Sequence, residues 1–288
     1  MDNYSFIAFL GFFAVCIGII IYFLVKMISK KVQNPQLTNE PLQEEINGHS
    51  TSNPAFKKNP FANISVADGQ EAMTLTGSVN KTILLFSLVL LTASVTWLNQ
   101  SIFMDFWIPI LLTNTVIGFV IIFKPTLSPV LSPVYALWQG LAIWAISAFY
   151  EQSFPWIVIQ AVGLTFWIFA TLLFLYKTRI VEATENFRLM VVSATGWVAL
   201  LYIMDLILMA FWKNVSFIHD GGTYGILFSL FVVSIASMNL VLDFDFIEKW
   251  AEWRAPKYME WYAGFWLLVT LIWLYLEILR MLAKARKR

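Results

Sequence analysis

Charge is scarce in this chain. Lys and Arg number 19 and Asp and Glu 18 among 288 residues, 13% of the sequence, where soluble domains carry about a quarter. A soluble fold of this length would leave much apolar surface in water at a large free-energy cost. Composition therefore argues against a soluble enzyme and makes lipid the expected solvent. A net charge of +1 supplies no basic surface for a phosphate backbone, so nucleic acid is not expected as a partner. The single cysteine, Cys16, has no internal disulfide partner, and two histidines, His49 and His219, cannot build a zinc site alone. Cys16 follows Ala14 and Val15 with no basic residue before it, a poor lipoprotein signal, and reads as a lipid-facing or packing residue. Catalytic signatures are missing too: no Gly-x-Ser-x-Gly elbow, His-Glu-x-x-His, phosphate loop, dinucleotide fingerprint or Gly-x-Gly-Asp. No catalytic residue and no cofactor is expected.

What is abundant is apolar and aromatic surface, 59% and 17% of the residues. A membrane-crossing helix needs about 20 apolar residues. Eight segments qualify: 5–27, 82–97, 106–123, 132–149, 155–176, 190–212, 222–242 and 258–282. They are too long and continuous for strands, and in hydrocarbon the backbone must satisfy itself within the segment. The sequence thus predicts an all-α, polytopic bundle. The first span has no basic n-region and no cleavage site, so it reads as an anchor. Residues 32–77, rich in Asn, Pro, Gln, Glu and Ser, cannot bury a core and read as a disordered cytoplasmic linker. The expected organisation is an anchor over 1–31, a linker over 32–77 and a membrane domain over 78–288.

Lys26, Lys30 and Lys31 follow the first span and place its far end in the cytoplasm. Lys57, Lys58 and Lys81, then Lys124, then Lys177, Arg179 and Arg188, then Lys249, Arg254 and Lys257 mark loops of one side. The alternate loops hold Asp105, Glu151 and only Lys213 as a base. This alternation fails at Arg280, Lys284, Arg286, Lys287 and Arg288, which would lie outside if the last segment crossed. Re-entry, a misread span, or an external tail would each account for it. Trp250, Trp253 and Trp261 frame the turn before the last span as an aromatic anchor.

Ionisable residues in apolar segments are costly and face a bundle interior or a water cavity. Four acids meet this description: Asp205, Asp243, Asp245 and Glu277. Gly225, Ser229, Ala236, Asn239 and Asp243 form a small, polar stripe along one helix, suited to close packing or to a narrow water path. Asp245 points away from Asp243 and reads as a solvated cytoplasmic end residue. Glu277 either pairs with Arg280 three residues on, at the membrane edge, or coordinates an ion. Asp205 is protonated, or bonded to Tyr202 of its own helix or to a neighbouring helix. Gln139 shares a face with Tyr135, Ile143 and Ser147 and reads as an inter-helix hydrogen-bonding group.

From Ser52 onward the sequence carries a series of specific stretches. They are Ser52-Asn53-Pro54-Ala55-Phe56, Ala72-Met73-Thr74, Gly77-Ser78-Val79-Asn80-Lys81-Thr82 and Leu131-Ser132-Pro133-Val134-Tyr135. Leu175-Tyr176-Lys177-Thr178-Arg179, Asn239 to Glu248, Ala255-Pro256-Lys257-Tyr258-Met259-Glu260 and Leu274-Tyr275-Leu276-Glu277 complete them. In these the chain resembles the bacterial, YccA-like branch of the Bax inhibitor-1 family, seven-helix membrane proteins. The first fifty residues and their extra helix are not part of that pattern. The resemblance implies a pH-sensitive calcium leak gated by two carboxylates on the last two helices, which map to Asp243 and to Glu277, a Glu where the family has Asp. Some relatives are instead described as modulators of membrane-protein proteolysis or of cell death. The arginine that gated members carry on their second helix has no counterpart in 106–123. With a hairpin turn near Ala255-Pro256, the two acids would differ in depth by about 12 Å at 1.5 Å per residue.

The expected function is therefore a pH-modulated cation leak in a bacterial inner membrane, with Asp243 and Glu277 as the ion- and pH-sensing pair. These two would hold calcium weakly and transiently, with Asp245, Asp205 and Arg280 as contributors. Burial raises a carboxyl pKa, and two acids at one site titrate apart; a shared proton would draw two helices together, and its loss would part them. The alternative is a non-conducting regulator that binds a membrane protease or another membrane protein. Membrane lipids are partners in either case.

Overall fold

The computed structural model describes residues 71–98, 107–210 and 221–287. Among them are seven helices: α1 (Leu75–Leu98), α2 (Trp107–Phe123), α3 (Ser128–Ser153), α4 (Ile157–Lys177), α5 (Glu185–Ala210), α6 (Thr223–Glu252) and α7 (Met259–Arg286). A 3-10 turn, Pro125–Leu127, joins α2 to α3. Six of the helices are long and apolar enough to cross a bilayer, and α2, with 17 residues, is a shorter apolar helix. At 1.5 Å per residue α2 spans about 25 Å, just short of the hydrocarbon thickness. The expected first span, 5–27, and nearly all of the expected linker lie outside the described residues. The end of that linker is ordered: Met73 is buried, and α1 starts at Leu75.

Apolar side chains supply the helices, and hydroxyl groups inside them are satisfied locally. Along α1, Thr82 donates to the Ser78 carbonyl at 2.9 Å and Thr96 to the Thr92 carbonyl at 2.6 Å. This back-bonding lets Ser and Thr sit in an apolar helix without orphan donors. The start of α4 is capped by Glu151, whose carboxylate accepts from the N–H groups of Trp156 at 2.5 Å and Val158 at 3.1 Å. An acid here also complements the helix dipole.

The core is α7. Its most apolar stretch is 67% buried, against 17% for α4, which faces outward. It packs against α6, α1, α4 and α3. At its start the Ser128 hydroxyl donates to the Tyr258 carbonyl at 2.9 Å, and Thr74 donates to Glu260 through N–H and hydroxyl at 3.0 and 2.9 Å. At its far end Arg286 donates to the Pro155 carbonyl at 2.5 Å and to Gln160 at 2.8 Å. The last helix therefore runs the whole length of the bundle and does not re-enter, and its C-terminal end lies beside the loop before α4. The α6–α7 turn falls where the sequence placed it: Met73 N–H donates to the Ala255 carbonyl at 2.7 Å, and Ala72 bridges Pro256.

Close packing of α1 on α3 depends on Gly140. A Cβ there would land on the Thr92 hydroxyl and lie 2.5 Å from the Val89 carbonyl oxygen, which is backbone and cannot rotate away. Gly140→Leu is expected to lower stability by about 1–3 kcal/mol through overpacking, read as a fall in the thermal unfolding midpoint in detergent. An unchanged midpoint would show that these two helices separate freely.

Candidate functional site

The α6–α7 pair sets the geometry of the expected site. Thr270 on α7 lies against the Asp243 carboxyl on α6. Fourteen residues further along α7, buried Lys284 donates to the Ser229 hydroxyl at 2.7 Å and the Gly225 carbonyl at 3.1 Å. Ser229 is likewise fourteen residues from Asp243, so the two contacts define one antiparallel register over four turns. Glu277 stands midway, seven residues beyond Thr270, on the same face of α7 and about 10 Å deeper along its axis.

The two acids accordingly have different partners. Glu277 is fully buried and saturated. It accepts from the Tyr202 hydroxyl of α5 at 3.1 and 3.3 Å, from Trp273 Nε1 at 3.3 Å and from Arg280 at 3.2 Å. Arg280 also donates to the Tyr202 oxygen at 2.6 Å and lies over its ring, 5.2 Å from the centroid. The expected i, i+3 pair of Glu277 with Arg280 is present, inside the bundle and not at its edge. Asp243 is partly buried; its Oδ2 is wholly enclosed and has no hydrogen-bond partner. Among the described residues it forms no ion pair.

Asp205 is fully buried on α5, one turn beyond Tyr202. Asp245 departs from expectation. It is 8% exposed, not solvated, and binds Arg188 of α5 together with Lys249 at 2.8 Å. The sequence reading ended this helix at residue 242, whereas α6 continues to Glu252 and carries Asp245 against α5. Of the small stripe, Gly225, Ser229 and Ala236 are buried, and Asn239 donates to Thr195 at 2.8 Å. Gln139 accepts from Asn114 of α2, and Ser147 pairs with Tyr275 at 2.6 Å.

Sequence reasoning missed Tyr202 as a ligand of Glu277, Arg188 as the partner of Asp245, and the burial of Lys284 and Glu260. It also missed Glu248, which accepts from Tyr176 and, at 2.5 Å, from Arg179. A signal existed for the last: Tyr176-Lys177-Thr178-Arg179 and Asp245 to Glu248 are both conspicuous stretches, and their charges are complementary. Glu260 also holds Lys257, at 3.3 Å, and raises that ammonium pKa above its ordinary range.

For a cation, the arrangement offers one carboxylate without an ion-pair partner among the described residues and the oxygen of the Thr270 hydroxyl, which donates to the Trp266 carbonyl at 3.2 Å. Among the described residues no group of three or more His, Cys, Asp or Glu could hold a metal. Calcium prefers six to eight oxygens, so Asp243 and Thr270 suit brief contact and not a tight site.

The family model described as Bax inhibitor 1 like matches residues 53–287. The chain belongs to this family. Comparison with curated proteins and with solved structures returns no match. The family stretches read from sequence are largely the contacts just described. Ala72-Met73-Thr74 meets Ala255 to Glu260, and Tyr176 with Arg179 meets Glu248. The match and the apolar helices together make this Bax inhibitor 1-like chain an integral, multi-pass membrane protein.

Breaking a buried pair leaves an uncompensated charge and costs about 3–5 kcal/mol, whereas replacing both partners by apolar residues is nearly neutral. Arg280→Leu should therefore lower stability in detergent strongly, and Glu277→Leu combined with Arg280→Leu should recover most of the loss. A double variant as unstable as the single one would refute the pairing.

Proposed function

We propose that this protein is a pH-modulated leak pathway for calcium or a similar cation in a bacterial inner membrane, and that it performs no catalysis. The ends of α2, α4 and α6, with Lys124, Lys177 and Lys249, face the cytoplasm in this reading. Asp243 is the proton-responsive group. The observation that carries the proposal is its enclosed Oδ2 in the α6–α7 interface, without a donor or an ion-pair partner among the described residues. A neutral carboxyl there is compatible with close helix packing. An ionised one is costly between apolar helices, so it attracts water and a cation and loosens the pair. Weak ligation is what a leak requires, because an ion must also leave. Glu277 acts through α7, as the fixed point from which that helix moves, and shares no proton with Asp243.

A second reading has its own support. Glu277 is fully occupied by Arg280, Tyr202 and Trp273, which leaves one open acid where a gate of two was expected. That favours a non-conducting regulator that binds a membrane protease or another membrane protein.

Purified protein in calcium-loaded liposomes separates the two. The leak reading expects efflux that rises with pH between about 5 and 8 and loses its pH dependence in Asp243→Asn. Glu277→Gln should change the size of the efflux but keep its pH dependence. Absence of flux across that range would leave the regulator.

A further inference from the structure

The segment that leads into α1 is bound to the α6–α7 turn by backbone and by side chain. Met73 N–H donates to the Ala255 carbonyl at 2.7 Å, and Ala72 faces Pro256 in an antiparallel bridge. Both donors of Thr74, its N–H and its hydroxyl, go to Glu260 Oε1 at 3.0 and 2.9 Å. The same hydroxyl oxygen accepts from the Gly77 N–H at 2.9 Å and so caps the start of α1. One hydroxyl therefore joins the first turn of α1 to the first turn of α7.

Gly77 reserves the space for this contact. A Cβ there would lie 2.0 Å from Glu260 Oε1 and 2.4 Å from Oε2, so any side chain at 77 evicts the carboxylate. From this point α1 and α7 run side by side in one direction. Lys81 lies over the Trp261 ring, 4.8 Å from its centroid, and a Cβ on Gly264 would lie 3.2 Å from Thr82 Oγ1 and from Leu85. Glu260 with Gly77 and Thr74 is the first contact of that seam.

Glu260 is 1% exposed, yet its cover is thin. Of residues 71–74 only Met73 is buried, and Glu71 and Thr74 are exposed. A segment with so few buried apolar contacts opens locally at low cost. When it lifts, water can replace the two Thr74 donors. Lys257, which reaches Glu260 at 3.3 Å and Glu71 at 3.4 Å, belongs to the turn and stays with Glu260. The hydroxyl of Ser128 on the Tyr258 carbonyl is independent of the segment, so α3 keeps its hold on the turn. Glu260 thus has two ways to be satisfied, one with the segment docked and one with it lifted. Glu277, enclosed by Tyr202, Trp273 and Arg280, has no such aqueous alternative.

We propose that residues 71–74 are a releasable strap with Glu260 as its latch, and that lifting the strap frees the first turns of α7 from α1 and raises cation flux through the bundle. The effect on flux rests on the leak reading; the latch itself does not.

Two readouts on the full-length protein carrying Cys16→Ser keep strap and leak apart: amide hydrogen exchange over residues 71–74, and calcium efflux from liposomes. Gly77→Ala suits a helical backbone and should speed both several-fold, with exchange in α3 and α5 unchanged. Thr74→Val, which removes one donor to Glu260, should act in the same direction and less strongly. The opposite perturbation is a disulfide. Pro256 has no N–H, so it and Ala72 form a non-hydrogen-bonded pair, with Cα atoms about 4.5 Å apart, within reach of a disulfide. Ala72→Cys with Pro256→Cys, when oxidised, should slow exchange and efflux below the Cys16→Ser level, and reduction should restore both. This reversible lock decides the matter even if Gly77→Ala fails to fold. Exchange over 71–74 that is indifferent to Gly77→Ala and Thr74→Val would overturn the latch. Altered exchange with unaltered efflux would overturn the strap's control of flux. Absence of efflux from every variant would defeat the leak reading and the control of flux with it, while exchange still decides whether the latch exists.

Discussion

Helices in lipid gain little by hiding apolar surface from one another, because the surrounding chains are as apolar as leucine. Something else has to decide which faces meet and at what height. In this bundle the polar side chains along α7 do so. From one end to the other, α7 meets Thr74 through Glu260, Ser132 through the Trp261 carbonyl and Ser147 through Tyr275. Beyond these it meets Tyr202 through Glu277 and Ser229 through Lys284. Each contact is a donor and acceptor that would be costly to leave unmade in hydrocarbon. Together they fix three helices, α3, α5 and α6, and the segment that leads into α1 to one central rod, and the small residues of α6 let that rod approach closely.

The same rod explains the one failure of the charge alternation. The rule that bases stay in the cytoplasm concerns Lys and Arg free to meet water and headgroups. Arg280 and Lys284 are not free in that sense. One is paired with Glu277 and Tyr202, and the other is buried against Ser229 and the Gly225 carbonyl. Arg286 in turn is tied to the loop before α4. Two bases of a run that looks like a topological signal, Arg280 and Lys284, are internal mortar, which a linear sequence cannot distinguish from a juxtamembrane cluster.

Much of the fold was legible because hydropathy reports its own subject, the length of helix that lipid will accept. The seven later spans, the turn at Ala255-Pro256 and the depth gap between Asp243 and Glu277 all follow from length and rise per residue. What was not legible depended on helix continuation and on partners remote in sequence. Residue 242 ends the apolar run but not the helix, because Asp245 and Lys249 pair along α6 and Arg188 comes from α5 to meet them. Tyr202 and Glu277 are 75 positions apart, and neither announces the other.

The contrast between the two acids bears on how a proton could move such a bundle. Glu277 sits where charge is already balanced, so a proton arriving there must displace an ion pair and a phenol hydrogen bond. Among the described residues Asp243 has no such ion pair: its neighbours Asp245 and Glu248 are engaged by Arg188, Lys249 and Arg179 at the helix end, and the Thr270 hydroxyl lies against it. Polar networks thus clamp α7 near both of its ends, and between them lies one carboxyl with no ion-pair partner among the described residues. A change of charge at a clamped position would be absorbed by its partners. At the open position it has to be met by movement of the helices, by water or by an incoming cation. If protons regulate this protein, the stretch of α6 and α7 between the clamps is where their effect on packing would be felt.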